Sequence, residues 1–193
     1  MLRVIVVQPG ATDFDEQGRI KGSLSLPLTL QGTHQVQRTV EELGASPIDQ
    51  VYCAPCQAAQ QTAEVLARGR QVRVKTVEGF RNWDHGLWHG KLIDEVRRQQ
   101  PRVYRLWQEQ PEVACPPEGE SCGVARQRVA ATLTRILKKH KDGVVALVIP
   151  EPLASLARSL LRNGELADLW KAECDCGRWD SIDLPVPAMV SSS

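Results

Sequence analysis

Two cysteine pairs and one histidine pair have spacings that could carry chemistry on their own. Cys53-Ala54-Pro55-Cys56 has the spacing of a redox dithiol or half a zinc site, and Cys174-Asp175-Cys176 is a second close pair. The pairs are distant in sequence and lack further metal ligands at standard spacing, so the preferred reading is small semi-polar filler near a strand end, with no metal. Cys53 and Cys56 also flank the start of an expected helix, where a thiolate is favoured. A cysteine phosphatase needs a cradle of backbone amides and an arginine directly after its nucleophile. Residues 53–58 contain no arginine, and Pro55 removes one amide. His85 and His89 sit in an aromatic-rich stretch with Phe80, Trp83 and Trp88, close enough in sequence to reach a pocket mouth. Arg81, Arg19 and Lys91 are the basic residues expected near that mouth, and the first to test if an anion binds. His34 and His140 fall in expected helices and read as surface residues.

The elements that must position these groups alternate. Val4-Ile5-Val6-Val7 is a β-branched apolar run ending in Pro9-Gly10, the pattern of a buried strand entering a turn. In an α/β protein such a loop floors a crevice at the carboxyl end of the sheet. Residues 13–27 read as an irregular loop. A helix follows with Thr29 as N-cap and Val36, Val40 and Leu43 on one face before Gly44. Gln50–Cys53 reads as a strand, Cys56–Ala67 as a helix, and Val72–Val77 as an alternating strand. Leu92–Gln99 looks helical, and Pro101 then opens a turn into Tyr104–Trp107. The spacing of Val129, Leu133, Ile136 and Leu137 predicts a helix over 124–140. Val144–Ile149 reads as a buried strand broken at Pro150-Glu151-Pro152. A helix through Leu153, Leu156, Leu160 and Leu161 then ends at Gly164. A last strand covers Trp179–Leu184. This alternation implies a three-layer α/β/α fold, a mainly parallel sheet with helices on both faces. One domain is expected over 1–185, with a flexible tail at 186–193.

Composition narrows the function. The chain has 193 residues, 42% hydrophobic and 24% charged, with a formal net charge of +1. That charge gives no footprint for nucleic acid or an anionic membrane. No stretch nears the roughly 18 apolar residues of a membrane span, and the N-terminus lacks a signal-peptide pattern. A cytoplasmic protein with reduced cysteines is therefore expected.

The order of short motifs resembles the histidine phosphatase superfamily, in its phosphoglycerate mutase-like branch. Gly10-x-Thr12-Asp13, Gly18-Arg19-x-x-Gly22 and Pro27-Leu28-Thr29-x-x-Gly32 are followed by Val51-Tyr52-x-x-Pro55 and Gln61-Thr62-Ala63-Glu64. Gly86-x-Trp88-x-Gly90-Lys91, Glu95-Val96 and Pro116-Pro117-x-Gly119-Glu120-Ser121 complete the set. The resemblance implies a nucleophilic histidine in an Arg-His-Gly loop, a second histidine, two phosphate-holding arginines and a carboxylic acid that protonates the leaving group.

Carried over position by position, each of those groups is replaced. The Arg-His-Gly loop falls on Gln8-Pro9-Gly10, so the nucleophile position is Pro9, which has no side-chain nitrogen or oxygen. The second arginine falls on Ala58, the acid on Asn82, and the second histidine on Pro150, with Glu151 next. A bound phosphate carries about two negative charges and needs cations once it is removed from water. This pocket loses its cations and gains Glu151. The expectation is therefore a catalytically dead, pseudophosphatase-like protein that binds an unidentified small molecule or protein partner, with no cofactor. Trp83, Trp88 and Trp107 would give such a pocket an aromatic rim. The alternative is a hydrolase of the same fold with catalysis rebuilt on His85 or Cys53. A weaker third reading is a metal-binding module through the four paired cysteines. Members of this fold often dimerise, so the resemblance also leaves room for a homodimer.

Overall fold

The computed structural model describes residues 1–166, 168–170 and 176–185. The strands are Leu2–Val7 (β1), Gln50–Cys53 (β2), Val74–Thr76 (β3), Gly143–Val148 (β4) and Trp179–Leu184 (β5). They form one sheet in the order β3-β2-β4-β1-β5. All neighbours run parallel except β5, which is antiparallel to β1. Val4–Val7 of β1 and Val145–Val148 of β4 are continuous apolar runs because these carboxyl-end stretches are buried on both faces. The helices are Asp13–Glu16 (α1), Leu30–Leu43 (α2), Gln57–Ala67 (α3), Ile93–Gln99 (α4), Pro101–Glu109 (α5), Cys122–Leu137 (α6) and Leu153–Arg162 (α7). α2 packs on α3, and α6 on α7. The three-layer α/β/α reading holds. No helix among the described residues is long and apolar enough to cross a membrane.

Several boundaries differ from expectation. The loop over 13–27 contains α1, whose start is held by Asp15 Oδ2 accepting from Thr12 N and Thr12 Oγ1, both at 2.7 Å. The 72–77 strand is only Val74–Thr76. Residues 101–109 form a helix rather than a turn, because Pro101 occupies the first helical turn, where its missing N–H is no loss. The helix expected over 124–140 begins at Cys122, since Ser121 caps it by accepting from Val124 N at 3.4 Å, and it ends at Leu137. His140 thus lies past that helix, with its Nε2 2.9 Å from the Tyr52 hydroxyl. Asn163, in the left-handed region at φ 51°, caps α7 one residue before Gly164. Residues 186–193 and Cys174 lie outside the described residues.

Parallel pairing brings the loops after β1, β2 and β4 to one edge. Val7 and Cys53 both stand opposite Val148. Ile149 N donates to Val7 O at 3.0 Å, and Ala54 N donates to Val148 O at 2.9 Å. Residues 8–10, 54–58 and 149–151 therefore share one crevice, at the place where open α/β sheets bind ligands.

Candidate functional site

The crevice is narrow, with about 20 Å³ of accessible space inside about 370 Å³ that includes its open mouth, and it is lined by Pro9, Gly10, Thr12, Lys21, Gly22, Leu24, Leu26, Cys56, Ala58, Pro150 and Glu151. Its floor is set by backbone contacts. A Cβ on Gly10 would stand 2.2 Å from the Gly32 carbonyl oxygen, and one on Gly32 would stand 2.1 Å from Ala11 O. The loop after β1 and the first turn of α2 thus touch backbone to backbone, which requires glycine on both sides. Thr29 N and Thr29 Oγ1 donate to Ala11 O at 2.9 and 3.3 Å, and Thr29 Oγ1 accepts from Gly32 N at 2.9 Å.

Five of the seven expected pocket positions line the space: Pro9, Gly10, Ala58, Pro150 and Glu151. The other two, Gln8 and Asn82, are buried directly behind it. Gln8 Nε2 donates to Glu151 Oε1 at 2.5 Å, while Asn82 Nδ2 donates to Gly22 O and to Glu151 O, each at 2.9 Å. Asn82 therefore ties the loop after β4 to the loop around Gly22 and serves as a strut. Glu151 forms an ion pair with Arg158, and its Oε2 accepts from Ser155 N at 3.0 Å. On the opposite wall Lys21 forms an ion pair with Asp15. Among the described residues the pocket thus holds one cation and one carboxylate, each matched by an opposite charge, so it has no surplus positive charge for a phosphate.

Neither expected replacement nucleophile lines the pocket. His85 is fully buried, with Nδ1 3.1 Å from Trp83 O and its ring 5.3 Å from that of Trp107. Burial pushes its pKa down to about 3, which leaves it neutral and a weak base at neutral pH. Cys53 is buried on β2 with Sγ 3.6 Å from Thr76 Oγ1, and burial pushes its thiol up. Cys56 is the thiol that lines the pocket, as the N-cap residue of α3, and burial raises it as well. Arg81 is exposed and does not line the pocket. Arg19 donates to Gly90 O at 2.6 Å. The pocket's cation is instead Lys21, which stands one residue before Gly22. Arg158 is a further residue outside the expected set; with Ser155 it lies on α7 and reaches back to Glu151, which stands two residues before the helix.

Residues 4–184 match the family described as histidine phosphatase superfamily (branch 1). Phosphoserine phosphatase 1 of Hydrogenobacter thermophilus is 27% identical over 185 residues, covering 95% of this chain and 87% of that protein. The adenosylcobalamin/alpha-ribazole phosphatase of Escherichia coli is 24% identical over 183 residues, covering 95% and 90%. The crystal structure of the alpha-ribazole phosphatase from Shigella flexneri superposes with a TM-score of 0.80 at 24% identity, covering 95% of this chain and 91% of that one.

Proposed function

The chain belongs to the histidine phosphatase superfamily, and on that premise we propose that its pocket binds a ligand without passing a phosphoryl group through a phosphohistidine. The observation that carries this reading is the pair of prolines at the strand ends, Pro9 and Pro150, standing in the pocket wall beside the buried Glu151 carboxylate. Proline offers no nucleophile and no proton, and a buried carboxylate there opposes a second anion. With its charges matched, Leu24 and Leu26 at its side and only about 20 Å³ of accessible space, the pocket suits the uncharged tip of a ligand that rests mainly at its open mouth. Free thiols at Cys53, Cys56, Cys115 and Cys122 agree with work in the cytoplasm.

A second reading is a phosphatase with a different nucleophile. The phosphatase names of the relatives favour it. So does Cys56, which lines the pocket together with Lys21. Assays on phosphoserine, alpha-ribazole phosphate and a generic aryl phosphate, with radiolabel trapping of any phosphoenzyme, separate the two readings. The binding reading expects no hydrolysis above buffer and no retained label. Turnover abolished by Cys56→Ala would establish the phosphatase.

A further inference from the structure

The Glu151 carboxylate sits in a site that has the construction of an oxyanion hole. Its side chain has no exposure, although the residue lines the pocket. Three donors of different kinds converge on it. Gln8 Nε2 reaches Oε1 at 2.5 Å, the Arg158 guanidinium reaches the same oxygen, and Ser155 N reaches Oε2 at 3.0 Å. Ser155 lies in the first turn of the ten-residue helix α7, so its N–H belongs to the helix end whose dipole attracts anions. Arg158 is held further by donating to Ser155 Oγ at 3.0 Å, and the Glu151 carbonyl is anchored by Asn82. The donors, the cation and the helix end are thus all in place, and the anion they hold comes from the same chain.

We propose that the pocket floor is an oxyanion site permanently filled by Glu151, so that external carboxylate or phosphate is excluded by occupancy as well as by charge. A small carboxylate becomes the ligand once the internal one is removed. Glu151→Ala deletes a CH2–COO⁻ unit that acetate reproduces atom for atom. It leaves Arg158, Gln8 and the α7 N-terminus facing an unfilled space. This inference rests on the reading that the pocket does not transfer phosphoryl groups. It is tested by binding alone, so a phosphatase activity found elsewhere in the pocket would not decide it.

Thermal unfolding is followed in sodium acetate and in sodium chloride of equal ionic strength, near pH 7. The natural protein is expected to unfold at the same temperature in both salts. Glu151→Ala is expected to unfold lower in chloride and to gain about 5–10 °C at a hundredfold excess of acetate over its Kd, in a saturable way. Glu151→Gln fills the same space with an amide whose NH2 must face a donor, so it should be destabilised and gain nothing from acetate. Glu151→Ala combined with Arg158→Met should weaken the acetate response at least about tenfold, because the charge-assisted bond is gone. If Glu151→Ala is insoluble in chloride, recovery of folded protein in acetate supports the inference, and equal loss in both salts overturns it. A saturable acetate or phosphate response in the natural protein overturns it too, as does a folded Glu151→Ala that responds no differently from the natural protein.

Discussion

The pocket floor and the aromatic cluster of residues 80–107 are both buried, yet they are held in opposite ways. The floor around Pro9 is held by backbone, through parallel strand ends, the Gly10–Gly32 contact and the Thr29 bonds to Ala11 O, while its Glu151 end is tied by side chains. Its side chains include two prolines, an alanine and a paired carboxylate. The cluster is held by side chains. Phe80, Trp83, Trp88 and Trp107 are all fully buried. Ring centroids lie 5.0 Å apart for Trp83–Trp107, 5.9 Å for Trp88–Trp107 and 6.0 Å for Trp107–Trp170. A loop positioned by backbone, as around Pro9, tolerates replacement of its side chains with the geometry kept. A cluster positioned by interlocking rings does not. On the proposed reading of the pocket, this difference would let the chain keep the family's fold while its floor side chains change.

The strongest way to break that contrast is to cut one side chain from each region. Trp107→Ala removes the ring at the centre of the cluster and should lower stability by about 3–5 kcal/mol, read from urea unfolding. Pro9→Ala, in the floor, should cost under about 1 kcal/mol, since it mainly loosens the unfolded chain. Equal losses would mean that the floor depends on its side chains after all.

What could be read in the sequence follows the same division. Val4–Val7 and the run before Pro150 were legible because strands buried on both faces are continuous apolar runs. The floor position at Pro9 followed from its strand end, whereas Ala58 and Glu151 followed from the resemblance to the histidine phosphatase superfamily. Placement of individual side chains was less legible. Cys53 lies in the last pair of a strand whose residues alternate faces, and it turns towards Thr76, while Cys56 beyond the turn meets the pocket. His85 belongs to the cluster because a ring beside Trp107 is buried by its neighbours, which motif spacing does not reveal. Arg158 required knowing that the second turn of α7 reaches back to Glu151, which stands two residues before the helix. Pro101 begins a helix where a turn is expected, because proline stops a helix from within but can also start one.

The cluster can be probed next by acid. Burial, helped by His89 and Lys21, holds the His85 pKa at about 3, while the Trp83 carbonyl and Asp84 pull the other way. The unfolded chain, with a histidine pKa near 6.5, takes up this proton first as pH falls. This contribution is therefore complete above pH ~6.5 and is lost on acidification down to about pH 3. The loss approaches about 1.4 kcal/mol per pH unit, or about 2 kcal/mol by pH 5. His85→Asn, whose amide can still donate to Trp83 O, should flatten that acid limb in urea titrations between pH 7 and 5. An unchanged limb would assign the acid sensitivity to other groups, such as the carboxylates of the floor.

The smallest expected effect tests the floor through its backbone. Thr29 caps α2 by accepting from Gly32 N, and it holds Ala11 O through both its hydroxyl and its own N–H. Thr29→Ala removes the cap and the hydroxyl bond, but the backbone bond from Thr29 N and the glycine contact remain. The loss should be about 1 kcal/mol, and Thr29→Ser should restore most of it because the hydroxyl is what caps. Amide exchange at Gly10 and Gly32 gives the sharper readout. Faster exchange at both positions, with the Trp83 and Trp107 regions unchanged, is expected if the floor is a backbone assembly separate from the cluster. Faster exchange throughout would mean that the two regions open as one cooperative unit, and the freedom of the floor side chains to change would then need another explanation.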